Sequence, residues 1–401
     1  MRVLIADKFE DVGIDGLKAL GMEILYEPKL NGDELQARIR ESEANILVVR
    51  STKVTETMMQ GSHLGLIIRA GAGYNTIDVK GASQLGIFVS NCPGKNSFAV
   101  AELAFGLILA CDRHIADCAI DLKNGKWNKK KYSNAKGLNG RTLGLIGMGS
   151  IGQAMIPRAK AFGMNVIAFS RWMTPDVAAA LGIGRAESLE ELAAQCDAVS
   201  VHVSLTPDTK GMLGKEFFSK LKPGAIFVNT SRAEVVDQSA LIDAVKNNGV
   251  LAGLDVFEGE PTEGEADYDG EIKDIPGILC THHIGASTDE AQNAVAAEVV
   301  HIVKEYRSTG IPPNTVNVPT GDPSSHVIAV RHADRVGVLA SILTVLKDEG
   351  INVQEMENII LGPSFAAIAQ ISVAKEPSPS AVATMKMNPN VFDVQVIETS
   401  A

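Results

Sequence analysis

The sequence has no Cys-x-x-C pair, no long uncharged apolar run and no excess of positive charge. Its five cysteines (Cys92, Cys111, Cys118, Cys196 and Cys280) are scattered and odd in number. That argues against a disulfide framework and suits buried thiols in a reducing compartment. A membrane span needs roughly 18 consecutive apolar residues. The most apolar stretch, LAFGLILA at 103–110, is bounded by Glu102 and Asp112. A net charge of −11 argues against wholesale nucleic-acid binding. The chain opens on the strand-like RVLIAD with no basic leader before it. A cytoplasmic protein is expected, with no membrane, nucleic-acid or metal partner.

What is present is a β/α rhythm. With 401 residues, 45% hydrophobic and 21% charged, the chain has material for two or three globular domains. The apolar runs VLIAD, MEILYE, ILVVRS, LGLIIRAGAG and IFVSN alternate with amphipathic segments before Asn91. A second series starts at Thr142 and continues through NVIAFS, AVSVHV, AIFVNT, LAGLDVF and GILCTHH. The pattern predicts an α/β chain with two doubly wound parallel-sheet (Rossmann/flavodoxin-like) domains. One long helical stretch, SFAVAELAFGLILACDRHIADCAIDLKNG, joins the two series. Another, STDEAQNAVAAEVVHIVKEYRSTG, is expected to lead back to the first domain.

The segment IPPNTVNVPTGDPSS at 311–325 reads as a linker. The residues after it run β-α-β-β-α-β, the ferredoxin-like order. The expected boundaries are therefore 1–98 with 290–318 for a discontinuous substrate-binding domain, 99–289 for a dinucleotide-binding domain, and 324–401 for the C-terminal module.

The stretch TLGLIGMGSIGQAMIPRAKAFGMNVIAFSR, 142–171, carries Gly147, Gly149 and Gly152 between an apolar strand and a helix. That spacing lets a pyrophosphate approach the backbone and meet the free N–H groups of a helix N-terminus. The second strand should end in a carboxylate for the ribose 2′-hydroxyl of NAD. Ser170 and Arg171 stand there instead. Ser170 removes a repulsion and Arg171 offers a phosphate partner, so either NAD or NADP is expected, with a lean towards NADP.

Three later segments hold candidate chemistry: VNTSRAEVVD with Arg232, GLDVFEGEP with Asp255 and Glu260, and CTHHIGAST with His282 and His283. Together with RAGAGYNTID, GKW, LNGRTLGLIGMGSIG and HIGASTDEAQ, this set resembles the D-2-hydroxyacid dehydrogenase family up to about residue 318. The resemblance implies that His283 is the general acid/base, that Glu260 orients its imidazole, and that Arg232 grips the substrate carboxylate. It further implies that Gly147, Gly149, Ser150, Ile151, Gly152, Ser170, Arg171, Thr230, Ser231, Asp255, His283 and Gly285 line the cofactor, with Asp255 on the nicotinamide carboxamide. His282 occupies the family's usual proline position, and Ala233–Glu234 replace the usual Gly-Gly.

Arg50 and Arg69 end two apolar runs of the first domain and are expected to bind the far, anionic end of a small hydroxy-acid or keto-acid substrate. The family resemblance lies closest to members acting on a phosphorylated hydroxy acid. A glyoxylate/hydroxypyruvate reductase and a nucleotide-sensing, corepressor-like binding protein remain open beside that reading. The C-terminal segment resembles an ACT domain, in which His332, Asp334 and Asn352 fall at amino-acid effector positions, serine being the expected ligand. Such a module also implies a homo-oligomer, dimer or tetramer.

Overall fold

The apolar runs before Asn91 form five parallel strands: β1 (Arg2–Ile5), β2 (Glu23–Tyr26), β3 (Ile46–Val49), β4 (Leu66–Arg69) and β5 (Phe88–Asn91). Their spatial order is β2-β1-β3-β4-β5. In this computed structural model all residues are described except 262–264, 319–324, 364 and 400–401. Every residue of β3 is buried. Helices cover both faces of such a strand, which is why it reads as a continuous apolar run and not an alternating one.

The second series gives β6 (Thr142–Ile146), β7 (Asn165–Phe169), β8 (Gly184–Arg185), β9 (Ala198–Val201), β10 (Ile226–Asn229), β11 (Leu251–Leu254) and β12 (Ile278–Cys280). They lie in the order β12-β11-β10-β9-β6-β7-β8, all parallel. The order reverses between β6 and β9, the crevice where open α/β sheets bind ligands. The two-residue edge strand β8 has no apolar run and escapes a pattern search.

The single helical stretch expected between the sheets is in fact broken. His114 adopts φ 51° and separates the helices Ser97–Arg113 and Ile115–Lys123. After the second sheet, the helix Asp289–Thr309 packs against the helix Asp11–Ala19. Its Val295, Ala296, Val299, Ile302 and Val303 enter the core formed with Val3, Ile5, Leu17 and Ile46. The chain thus crosses between the sheets twice. Part of the expected linker is also anchored, because Val316 and Asn317 bond the backbone of Val89 in β5. Residues 319–324 of that linker lie outside the described residues.

The chain divides into two compact units, Met1–Asn317 and Val318–Ala401. The second holds β13 (His326–Ala333), β14 (Val353–Leu361), β15 (Ala366–Val373) and β16 (Val391–Glu398), antiparallel in the order β14-β15-β13-β16. Ile328, Val330, Ala369 and Ile371 pack under Val338, Ile342, Leu346 and Met385 of its two helices. This is the ferredoxin-like arrangement expected of an ACT-like module. Cys92, Cys111 and Cys196 are buried, and burial pushes each thiol up to about 12, so none is a thiolate near neutrality. Among the described residues no helix is long and apolar enough to cross a membrane.

One buried ion pair closes the entrance to the second sheet. Asp112 is 5% exposed. Its carboxylate pairs with Arg141 at 2.9 Å and accepts the Gly137 N–H at 3.0 Å, while Arg141 also donates to the Asp197 carbonyl at 3.0 Å. Removing one partner strands the other charge in the interior. Asp112→Ala should therefore lower unfolding stability by about 3–5 kcal/mol in urea titrations. A loss below about 1 kcal/mol would show that the pair is dispensable.

Candidate active site

The site is built from strand ends. At the end of β6, Gly147 has φ +95°, and a Cβ there would stand 2.6 Å from the His202 carbonyl oxygen. A Cβ on Gly152 would collide with the Gly147 carbonyl. These two glycines are required by the fold itself. Gly149 differs: no protein atom lies within 4 Å of its Cβ position, and it caps the helix Ser150–Ala161 without a side-chain bond. Ser150 is exposed and Ile151 half-buried in that first turn. Its N–H groups and dipole remain available to an anion, so the residues present fit a dinucleotide.

At the end of β7, Ser170 is half-buried and Arg171 is exposed. The Arg171 guanidinium lies 3.4 Å from the carboxylate of Asp208, on the loop after β9. An exposed pair of this length is weak, and a 2′-phosphate would compete with Asp208 for the arginine.

At the end of β10, Asn229 is 1% exposed and ties the next turn together. Its Oδ1 accepts from the Ser231 N–H and Oγ, and its Nδ2 donates to the Arg232 carbonyl at 2.9 Å. The Thr230 hydroxyl is buried without a protein partner, a group suited to a bound ligand.

Arg232 meets Arg69 across the two sheets. A Cβ on Gly71 would collide with the Arg69 guanidinium, and one on Gly73 with that of Arg232. The glycines of RAGAG therefore clear space for two arginines. Burial, helped by the nearby Arg232 and Arg50, lowers Arg69 to about 10. Burial also lowers Arg232, opposed by Glu234 and Glu260. The Arg69 Nε is buried without a hydrogen-bond partner. Arg50 follows β3, where Asp7 accepts the backbone N–H groups of Arg50, Ser51 and Thr52 at 2.6–3.1 Å. Three cations thus converge without a dedicated counter-ion among the described residues, which is an anion site in electrostatic terms.

The segments after β11 and β12 bring a carboxylate and an imidazole together. His283 Nδ1 lies 2.9 Å from Glu260 Oε2, and Glu260 Oε1 accepts the Phe257 N–H at 2.7 Å. His283 adopts φ 53°, a left-handed conformation. The turn is held by Asp255, which is 1% exposed. Its carboxylate accepts from the Thr281 hydroxyl at 2.6 Å and from the backbone N–H of Ile284 and Gly285 at 2.9 and 2.8 Å. The expectation that Asp255 holds the nicotinamide carboxamide thus meets a carboxylate already engaged by three donors. Its visible task is to position the histidine turn. His282 is exposed and its side chain makes no hydrogen bond among the described residues.

In the second unit, the effector triplet does not assemble as expected. His332 is 1% exposed, with Nδ1 on the Ala333 carbonyl at 2.9 Å and Nε2 on Asn358 Oδ1 at 3.1 Å. Asp334 is half-buried and Asn352 exposed. Motif reading also passed over Asp7, Asn229 and Asp208. Asp7 closes LIAD after β1, and a carboxylate at a strand end was the only sequence signal for it.

The D-isomer specific 2-hydroxyacid dehydrogenase NAD-binding domain model matches residues 105–285. A hydroxypyruvate reductase of Thermotoga maritima is 44% identical over 285 residues, 70% of this chain and 90% of that protein. A D-3-phosphoglycerate dehydrogenase of Methanocaldococcus jannaschii is 38% identical over 322 residues, 80% of this chain; the chain spans 60% of that relative's length. Among solved structures, an NAD+-bound 3-phosphoglycerate dehydrogenase of Entamoeba histolytica superposes with TM-score 0.66 at 26% identity, covering 79% of this chain and 99% of that one. The chain belongs to the D-isomer specific 2-hydroxyacid dehydrogenase family, and its matched domain is a nicotinamide-nucleotide-binding domain.

The arginine cluster makes a thermodynamic prediction. Anions that bind the folded state alone raise its melting temperature. Sulfate should raise the Tm of the wild type in scanning fluorimetry, and do so much less for Arg69→Gln. Equal shifts in both proteins would place the anion elsewhere.

Proposed function

We propose that the chain is a D-3-phosphoglycerate dehydrogenase, oxidising 3-phosphoglycerate to 3-phosphohydroxypyruvate at the entry to serine synthesis. The convergence of Arg50, Arg69 and Arg232 carries this reading, because a substrate with a carboxylate and a phosphate brings two anions to one cleft. Arg232 grips the carboxylate and fixes the face of the carbon that loses hydride. Arg50 and Arg69 take the remaining anionic charge.

Glu260 accepts only, so His283 carries its proton on Nδ1 and presents a basic Nε2. That nitrogen removes the hydroxyl proton, and Glu260 stabilises the imidazolium that results. A nicotinamide nucleotide, bound over Gly147–Gly152 and beside Thr230, Ser231 and Gly285, supplies the hydride acceptor. With Arg171 shared by Asp208, both NAD and NADP are accepted.

The Thermotoga maritima relative supports a second reading, reduction of hydroxypyruvate or glyoxylate. Glu234 favours it as well, since a carboxylate beside Arg232 opposes a highly charged substrate. A corepressor-like nucleotide sensor would bind without turnover. An initial-rate panel of 3-phosphoglycerate, hydroxypyruvate and glyoxylate with both nucleotides separates the three. Dominant turnover of 3-phosphoglycerate is expected; preference for the unphosphorylated acids moves the assignment to the second reading, and absence of turnover to the third.

The helix Ile115–Lys123 buries no residue and exposes Ile115, Ile120 and Leu122, which supports a homo-oligomer, dimer or tetramer. An amino-acid effector on the ACT-like unit would rely on Asp334 and Asn352, because His332 is committed.

His283→Ala should remove most of kcat, roughly two to four orders of magnitude, and leave nucleotide affinity unchanged. His282→Ala should change neither. Steady-state kinetics with fluorescence titration of the nucleotide reads both, and exchanged phenotypes would overturn the assignment of the base.

A further inference from the structure

The carboxylate that orients His283 stands on a turn, and the turn has to be held. Residues Phe257–Glu260 follow β11 and include Gly259 at φ +83°. Glu260 closes the turn on itself, its Oε1 accepting the Phe257 N–H while Oε2 faces His283. A self-closed turn keeps its own shape but can still swing as a unit. Two contacts fix it to the body of the sheet. Phe257 meets the Tyr268 ring edge-on, with centroids 5.4 Å apart. On the other side, the Glu258 N–H donates to Gln238 Oε1 at 2.9 Å.

Gln238 is the first residue of the helix Gln238–Asn248, whose start is capped by Asp237. It is 8% exposed, so its amide stays within the protein and is not bonded to bulk water. Beneath the turn lies a small cavity of about 10 Å³, lined in part by Gln238, Leu241, Val256, Phe257 and Glu258. Phe257 packs against the core beside that void, while the Glu258 N–H has the Gln238 amide oxygen as its partner. The directional bond from Gln238 is what sets its height on that side.

We propose that Gln238 is a positioning residue for the Glu260–His283 pair. It fixes the Glu258 backbone, thereby places the Glu260 carboxylate, and through it sets the tautomer and direction of His283. The acceptor oxygen is the essential feature: Gln238→Glu preserves it and Gln238→Leu removes it at similar volume. The proposal rests on the reading of His283 as the acid/base.

The test uses the full chain. Gln238→Leu should lower kcat by about ten- to a hundredfold, because a displaced catalytic group loses that much. It should also move the acid limb of the kcat/KM pH profile in the same direction as Glu260→Gln does, with nucleotide affinity held. Gln238→Glu should restore both. The double variant Gln238→Leu/Glu260→Gln should be no slower than Glu260→Gln alone, since both act through one carboxylate. If Gln238→Leu does not fold, Gln238→Met, similar in length and without the amide oxygen, is read in the same way.

An unchanged pH profile in Gln238→Leu, or losses that multiply in the double variant, overturns the proposal. Failure of the underlying reading shows differently, as full turnover in His283→Ala. The positioning claim is then read from nitrogen-15 histidine spectra. The low-field Nδ1–H resonance of His283 should be lost in Gln238→Leu and kept in Gln238→Glu; its persistence in Gln238→Leu contradicts the claim.

Discussion

A single buried carboxylate holds the chemical end of the molecule together. Asp255 ends β11, and its oxygens take three donors from the turn that follows β12. That turn places His283 in a left-handed backbone conformation, which costs a non-glycine residue about 1–2 kcal/mol. Hydrogen bonds to a charged acceptor contribute about 1.5–3 kcal/mol each, so three of them over-determine the conformation. The strained residue is the one whose imidazole reaches Glu260. Strain of this kind persists only where the surroundings enforce it, and here the enforcing groups belong to two adjacent parallel strands.

The other half of the site is held in a less favourable state. Arg50, Arg69 and Arg232 come from β3, β4 and β10, hence from both sheets of the first unit. Their mutual repulsion and burial are visible in the depressed basicity of Arg69. Gly71 and Gly73 make the approach sterically possible, and Asp7 spends its acceptor capacity on the backbone of the Arg50 loop. Histidine and arginines are thus held differently: His283 is paired with Glu260, and the three arginines have no ion pair among the described residues.

Much of this could be read before any coordinates. Fully buried parallel strands give unbroken apolar runs, and the glycine spacing of 147, 149 and 152 has few other uses, so both sheets and the nucleotide turn stood out. Arg232, Glu260 and His283 were found as a set because they follow successive strands. What escaped reading depends on contacts between distant segments. Asp208 meets Arg171 across 37 residues, and Gln238 meets Glu258 across 20. The break at His114 comes from a backbone choice that a helical apolar pattern does not encode. His332 adds a feature of the same kind: its position matches a ligand-binding pattern, while its burial between strands and its contact with Asn358 exist only in three dimensions.

The central claim is that Arg232 seats a carboxylate so that the adjacent hydroxyl points at His283 Nε2. A crystal structure with nucleotide and a slow hydroxy-acid analogue tests it most directly. The account predicts the carboxylate in contact with the Arg232 guanidinium and the hydroxyl oxygen within about 2.6–3.2 Å of Nε2. An analogue bound with its carboxylate away from Arg232, or with Nε2 facing solvent, would contradict it.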